Sequence, residues 1–226
     1  MRQIVTTGIV LTRTNFGEAD RIITLLTPDN GKIRVMAKGV RKVKSKLAGG
    51  VELFSVSDIT YIPGKKDIQT LVSTRLQKHY GNLVNDLGAT MFAYELLKQI
   101  NKITEDEAEP GYFTVLTTAM NALNEGTHQS LIELWVGAQL LKLGGHQPNL
   151  TTDTQGQKLE ADKLYTFDFD HMAFQQAEQG TLTPDHIKFL RLAFGLEDPS
   201  QLQQIKDASK VLGPCLQLVK SLQQPL

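Results

Sequence analysis

The sequence RIITLLTPDNGKIRVMAK, residues 21–38, decides the fold of the first third of the chain. Two strand-like runs flank Pro28-Asp29-Asn30-Gly31, and Asn-Gly between alternating runs supplies the two positive-φ residues that a type I′ hairpin turn requires. In the second run, one face is apolar and consists of Ile33, Val35 and Ala37. The other face is cationic and consists of Lys32, Arg34, Met36 and Lys38. The pattern predicts an antiparallel hairpin with one buried face.

Three further runs around this hairpin also read as strands. They are Ile4–Arg13 before it and Val51–Tyr61 and Ile68–Leu76 after it, with a turn predicted over Pro63–Asp67. Five short strands within residues 1–80, with no room for crossover helices, favour a closed or nearly closed antiparallel barrel. The five-stranded oligonucleotide-binding barrel, the OB-fold, fits this size and strand count.

A basic stretch, Lys38–Lys46, follows the hairpin and contains five cations and no acid. Charges of one sign at this density repel one another, so an anion outside the chain is their natural counterion, although a solvated loop is the alternative. OB barrels bind single-stranded nucleic acid through a cationic groove and stacking aromatics. The predicted DNA-binding residues are Arg34, Lys38, Arg41, Lys42, Lys44 and Lys46, with Arg21, Arg75 and Lys78 as outlying candidates.

Aromatic residues are sparse in the predicted barrel, where Phe16, Phe54 and Tyr61 are available and Phe54 is expected in the core. We therefore expect binding led by the phosphate backbone and indifferent to sequence.

The net charge of zero conceals a division between two parts of the chain. Residues 1–80 carry fourteen Lys and Arg against six Asp and Glu, whereas residues 81–226 carry ten against eighteen. This asymmetry predicts a barrel domain over residues 1–80 and a second domain over residues 81–226 with different partners.

A helical period of three to four residues begins after Tyr80. It predicts three helices, over Leu83–Ile103, Pro110–Leu123 and Gln129–Leu143. Two more helices are predicted to start at Thr183-Pro184 and at Asp198-Pro199. The last of these is expected to break at Gly213-Pro214, before a short last segment, Cys215–Leu222. The first helix has a predicted apolar stripe of Leu83, Leu87, Met91, Tyr94 and Leu97. The acidic turn Glu105–Pro110 is expected to be a solvated loop, and Lys163–Phe169 alternates like one strand of a hairpin.

Several classes of function lack their sequence signals. No phosphate-binding loop, dinucleotide fingerprint, zinc-protease motif or hydrolase nucleophile motif occurs. The single Cys215 excludes an internal disulfide and a four-cysteine zinc site. Polar residues interrupt the most apolar stretch, Leu131–Leu143, and no signal peptide is evident, so we expect a cytoplasmic protein without a membrane span.

Two alternatives compete with DNA binding. Asp168 and Asp170 share a strand face beside His171, with Asp153 nearby in sequence, and such a set could hold the divalent metal of a nuclease. The same alternation is also typical of a half-exposed strand. The second alternative is an RNA-binding barrel, because a cationic groove alone does not distinguish RNA from DNA.

Several segments closely resemble the bacterial recombination mediator RecO. In the barrel they are GIVL (8–11), GEADRIITLLT (17–27), GKI (31–33), AKGVRK (37–42) and SKLAG (45–49). The later segments FAYELL (92–97), LLKLGGHQPNL (140–150) and LVKSL (218–222) agree more loosely. The resemblance follows the order of the whole chain and is specific in residues 8–49.

The resemblance implies an α+β protein with an N-terminal OB-fold barrel, an α-helical domain and no enzymatic activity or cofactor. It implies binding of single- and double-stranded DNA, annealing of complementary strands, and help in loading RecA onto strands coated by single-strand-binding protein. RecR and the C-terminal tail of single-strand-binding protein are the implied partners.

The chain departs from the family in one segment. Many members carry a four-cysteine zinc finger where residues 149–180 lie, and this segment contains no cysteine. We expect a small β-hairpin in the place of the finger, without zinc.

Overall fold

The computed structural model describes residues 2–64, 67–104 and 108–224. The chain forms two compact units, Met1–Glu125 and Gly126–Leu226. The first unit contains the barrel, whose strands are β1 (Ile4–Phe16), β2 (Asp20–Thr27), β3 (Gly31–Ala37), β4 (Ser55–Ile62) and β5 (Ile68–His79). Their order in the closed sheet is β1-β2-β3-β5-β4, with β3 and β5 parallel and the other neighbours antiparallel. The predicted five-stranded OB-fold barrel is confirmed.

The hairpin of β2 and β3 forms as predicted, but its turn is of another type. Thr27 pairs with Gly31, which leaves a loop of Pro28, Asp29 and Asn30. Gly31 has a φ of 58°, whereas Asn30 is not among the positive-φ residues. The type I′ prediction is wrong because the Thr27 hydroxyl closes the loop: it accepts a hydrogen bond from the Asn30 N–H at 3.0 Å and donates to the Gly31 carbonyl at 2.9 Å.

Alternation of apolar residues correctly located the core of the barrel. Ile23, Val35 and Ile59 are fully buried in it, together with residues from each of the five strands. The fourth strand begins at Ser55, later than predicted, and the preceding Val51 reaches the same core from a loop. Lys65 and Lys66, within the turn predicted over Pro63–Asp67, lie outside the described residues.

Two helices, α1 (Leu87–Ile103) and α2 (Pro110–Asn124), belong to the same unit as the barrel, and a short 3-10 helix, Gly81–Asn85, leads into α1. Lys32 of β3 fixes the end of α1, because its Nζ donates hydrogen bonds to the carbonyls of Asn101, at 3.1 Å, and of Thr104. The barrel domain predicted from the sequence ends at residue 80, whereas this compact unit extends to Glu125. Glu105, Asp106 and Glu107 of the predicted acidic turn lie outside the described residues.

The predicted apolar stripe of α1 is wrong in three of its positions. Leu87, Met91 and Tyr94 are 76%, 61% and 47% exposed, and the buried face consists instead of Ala89, Ala93, Leu96, Leu97 and Ile100. Apolar residues surround most of this helix, so periodicity alone did not select the inward face. The face with two alanines is buried, because small side chains let a helix approach its neighbour closely.

The second unit contains three helices, α3 (Gln129–Leu143), α4 (Pro184–Gly195) and α5 (Ala208–Gln223), and a small sheet. Its strands are β6 (Asn149–Asp153), β7 (Tyr165–Asp168) and β8 (Ala173–Gln176), in the order β6-β8-β7. The antiparallel pair β7–β8 is the predicted hairpin in place of a zinc finger, and β6 extends it by a parallel strand.

The predicted helix break at Gly213-Pro214 is also wrong. Pro214 lies inside α5, and the interruption comes earlier, between the 3-10 helix Pro199–Gln204 and Ala208. Asp207 ends this interruption in a left-handed conformation, with a φ of 59°, which an α-helix does not accommodate. Among the described residues, no helix has the length and apolar character needed to cross a membrane.

Candidate nucleic-acid interface

The basic loop, residues 38–46, begins with a backbone that is fixed to the turn between β1 and β2. The N–H of Gly39 donates to the Asp20 carboxylate at 2.7 Å, and the N–H of Arg41 donates to the Ala19 carbonyl at 2.9 Å. Gly39 has a φ of 66°, a conformation that favours glycine. The loop therefore leaves the barrel in a defined direction beside the β1–β2 turn.

Buried apolar residues hold the loop at both ends. Val40 is part of the barrel core, and Leu47 and Ala48 pack against that core immediately after the last lysine. The Thr74 hydroxyl of β5 donates to the Leu47 carbonyl at 3.3 Å. The charged middle of the loop thus projects from two anchored ends and is not a free tail.

All the cations of the loop are exposed to solvent: Lys38, Arg41, Lys42, Lys44 and Lys46. The chain folds into turns between them, with the Lys42 N–H donating to the Gly39 carbonyl at 3.1 Å and the Ser45 N–H donating to the Lys42 carbonyl at 2.9 Å. No ion pair joins these five side chains to an acid in the described part of the chain. Their charges are therefore available to an external anion.

The outer face of β2 and β3 continues the cationic surface from the loop. Directly opposed residues of neighbouring strands share a face, so the register places Thr12, Thr24 and Arg34 in one row. Arg34 is exposed on this face, and β3 runs from it directly into the basic loop. This face and the loop together form the candidate interface, and the face of strands 2 and 3 is one at which OB-folds bind oligonucleotides.

One of the three aromatic residues considered from the sequence can stack on a base. Phe16 ends β1 beside the turn that anchors the loop and is 54% exposed. Phe54 and Tyr61 are buried, and the Phe54 ring packs edge-on against Tyr94 at 4.8 Å between centroids. The structure therefore leaves stacking a minor role beside the five loop cations.

Two of the outlying candidates lie next to residues that contact the loop: Arg21 pairs with Ala37, which directly precedes Lys38, and Arg75 follows Thr74, which bonds to the Leu47 carbonyl. Arg21 lies at one end of the barrel, where its guanidinium donates to the Asn15 side chain at 3.1 Å and lies 4.0 Å from Glu52. Arg75 is opposite Asp58 on the β4–β5 face, and the Lys78 ammonium lies 5.5 Å from the centre of the Tyr80 ring.

The anchors of the interface escaped the sequence analysis. Asp20 and the Gly17–Ala19 carbonyls hold the loop, and the Arg41 guanidinium donates to the Gly17 carbonyl at 3.3 Å. No local pattern marks these residues, since their partners lie some twenty positions away.

The residues of the alternative nuclease site form a turn. The Asp168 carboxylate accepts from the His171 N–H at 3.0 Å and lies 2.9 Å from the His171 ring nitrogen Nδ1. The backbone bond, followed by the side-chain bond, lowers the pKa of Asp168. Asp153 accepts from the N–H groups of Gln155 and Gln157 in a separate turn. Over residues 2–64, 67–104 and 108–224, no group of three or more His, Cys, Asp or Glu is arranged to hold a metal.

Comparison with known proteins identifies the barrel. The family model described as the N-terminal domain of recombination protein O matches residues 1–80. Residues 1–80 are similar to the RecO N-terminal domain. The match confirms the family resemblance found in residues 8–49, and it covers all five strands of the barrel together with the basic loop.

Curated relatives extend the RecO similarity beyond the barrel. The DNA repair protein RecO of Dehalococcoides mccartyi is 34% identical over 146 residues, which are 64% of this chain and 57% of the relative. RecO of Bifidobacterium longum is 36% identical over 150 residues, 64% of this chain and 62% of the relative. RecO of Bacillus pumilus is 33% identical over 144 residues. The chain spans less than two thirds of the length of these relatives.

Proposed function

We propose that this protein is a DNA-repair and recombination mediator that binds single- and double-stranded DNA through the basic loop and the outer face of β2 and β3. The observation that carries the proposal is a RecO barrel with five exposed cations on a loop anchored at both ends. Lysine and arginine neutralise phosphates and release their condensed counterions, which gives affinity without dependence on base sequence.

The same contacts would promote strand annealing. Two complementary strands repel one another through their phosphates, and cations held on a fixed loop reduce the charge on the bound strand. Because Phe16 is the one aromatic placed beside the loop, most bases of the bound strand remain free to pair. We expect fluorescently labelled complementary strands to anneal faster with the protein than without it, and less so as salt rises.

The two alternative functions are tested in the same assays. Incubation of labelled DNA with magnesium or manganese gives intact strands if the protein is a mediator and shortened strands if Asp168, Asp170 and His171 form a nuclease. Competition of DNA binding by RNA of the same length measures the preference between the two polymers. Tighter binding of RNA would favour the RNA-binding alternative.

Partner docking is assigned to the second unit, where a cavity of about 610 Å³ lies beside α4 and α5. Its lining combines apolar and basic side chains: Phe189, Leu192, Ile205 and Val211, with Lys188, Lys206 and Lys210. Lys188 and Lys210 pair with Asp185 and Asp207, at 3.0 and 2.9 Å. An apolar groove with cations around it suits an acidic peptide with an apolar end.

His186 lines this cavity and carries a buried ring nitrogen without a hydrogen-bond partner among the described residues. Its Nδ1 accepts from the Thr183 N–H at 3.1 Å, so in the neutral ring the proton is on Nε2. Burial lowers the pKa of His186, which keeps the ring neutral, although the charge of Asp185 opposes this effect. Nε2 is buried, and no partner for it exists among the described residues.

The partner that fits is the acidic C-terminal tail of single-strand-binding protein. Such docking would bring the mediator to coated strands in the cytoplasm, where RecR and RecA act next. A fluorescent acidic peptide with an apolar C-terminal residue should bind the full chain, and Lys206→Ala should weaken binding while Lys142→Ala, on α3, should not. If both variants bind the peptide equally well, the docking site lies elsewhere on the protein.

A further inference from the structure

Val43 occupies the tip of the basic loop and is the most exposed large apolar residue in the described part of the chain. Its relative exposure is 103%, as large as that of an isolated residue. Lys42 and Lys44 are its direct neighbours in sequence, and both are exposed. An apolar side chain therefore stands at the centre of a cationic surface.

The local fold gives no reason for a valine at this position. The Ser45 N–H donates to the Lys42 carbonyl at 2.9 Å, so Val43 and Lys44 are the two central residues of a tight turn. Gly, Pro, Asn, Asp and Ser dominate such positions, and a β-branched residue adds no turn stability. Val40 and Leu47, by contrast, are inserted in the barrel core or packed against it.

We propose that Val43 is an apolar wedge that contacts the bases of bound DNA while the surrounding cations hold its phosphates. The inference rests on the proposed DNA binding of the same loop and adds a direct contact to the bases. Proteins that deform DNA insert apolar side chains between base steps and partly unstack them. A wedge flanked by phosphate contacts would open stacked bases for pairing with a second strand.

The test uses the full chain and oligonucleotides that contain 2-aminopurine, whose fluorescence rises when its base unstacks. Wild-type protein should raise the fluorescence of single- and double-stranded DNA. Val43→Ser should abolish this rise and weaken binding about fivefold, the loss expected if roughly half of a valine side chain leaves water on binding. The salt dependence should stay unchanged, because the substitution removes no charge.

Two variants serve as controls. Val43→Leu keeps an apolar tip and should retain both the fluorescence rise and the affinity. Val5→Ser changes a valine that is 69% exposed on β1, outside the candidate interface, and should behave like the wild type. Circular dichroism melts should show all three variants folded.

The outcomes separate the inference from the proposed function. If Val43→Ser binds as tightly as the wild type with the same fluorescence rise, the wedge is refuted and DNA binding stands. If the wild type binds no DNA at any salt concentration, the proposed function fails first. Vesicles containing anionic phosphatidylglycerol provide a further arm, and loss of vesicle binding in Val43→Ser with DNA binding unaltered would reassign the tip to a lipid surface.

Discussion

Replacing Arg41, Lys42 and Lys44 by alanine removes three of the five exposed cations of the basic loop. Of the contacts that anchor the loop, the variant loses the bond from the Arg41 guanidinium to the Gly17 carbonyl and retains those of the Gly39 and Arg41 backbone N–H groups and of the buried Val40. The perturbation is therefore electrostatic, and the barrel should keep its stability. We expect the melting temperature to remain within about 2 °C of the wild type.

The magnitude follows from the number of phosphates that the loop neutralises. If about four single-strand phosphates are contacted, log affinity falls with log salt at a slope of roughly −3, and affinity drops about sixtyfold between 50 and 200 mM salt. The triple variant should keep a slope of roughly −1, which corresponds to about a fourfold drop. Its affinity should fall alike for strands of different sequence, because phosphate contacts carry no base information.

The assay is fluorescence anisotropy of labelled single-stranded DNA over a salt series. The matched control removes three exposed lysines elsewhere, Lys98, Lys142 and Lys158, so that the change in net charge is the same. This control should keep the slope of the wild type. A triple variant with an unchanged slope, or a control that loses as much slope as the triple variant, would refute the assignment of binding to the loop.

Three other predictions concern stability. Gly180→Ala places a Cβ at 2.5–2.6 Å from backbone atoms of Tyr165, so it should lower the melting temperature by about 2–10 °C, whereas Gly195→Ala, which meets no atom within 4 Å, should not. Lys32→Met should lower the free energy of unfolding by about 1–3 kcal/mol, because two carbonyls at the end of α1 lose their donor. Burial raises the pKa of the Cys215 thiol from 9.0 to about 12. Above pH 9 the unfolded chain therefore binds fewer protons than the folded chain, so the free energy of unfolding should fall from pH 9 to 12. Urea denaturation over this range should show the fall, and it should be less steep in Cys215→Ala.

Features that depend on neighbouring residues could be predicted from the sequence. Alternating apolar residues located the strands because one face of each strand packs into the core, as Ile23 and Val35 show. The exposure of the basic loop followed from the mutual repulsion of its charges. The sequence pattern did not specify the order and direction of the strands beyond the choice of the OB-fold. The parallel pairing of β3 with β5 is a feature of the closed barrel that the pattern did not predict.

Features that depend on distant contacts could not be predicted. Met91 and Ala93 lie on different faces of α1, and which face is buried depends on the surface that the helix meets. The turn at Gly31 is set by the Thr27 hydroxyl, whose bonds replace those of a type I′ turn. In the site, Asp20 and Ala19 hold the loop across about twenty residues, a distance that no local pattern spans.

Lysine footprinting tests most directly whether the basic loop holds DNA. The chain is acetylated briefly with and without excess single-stranded DNA, and modification of each lysine is measured by mass spectrometry. The account predicts that DNA protects Lys38, Lys42, Lys44 and Lys46, while Lys98, Lys142 and Lys158 react equally in both samples. Protection of the second group with no protection of the loop would contradict it.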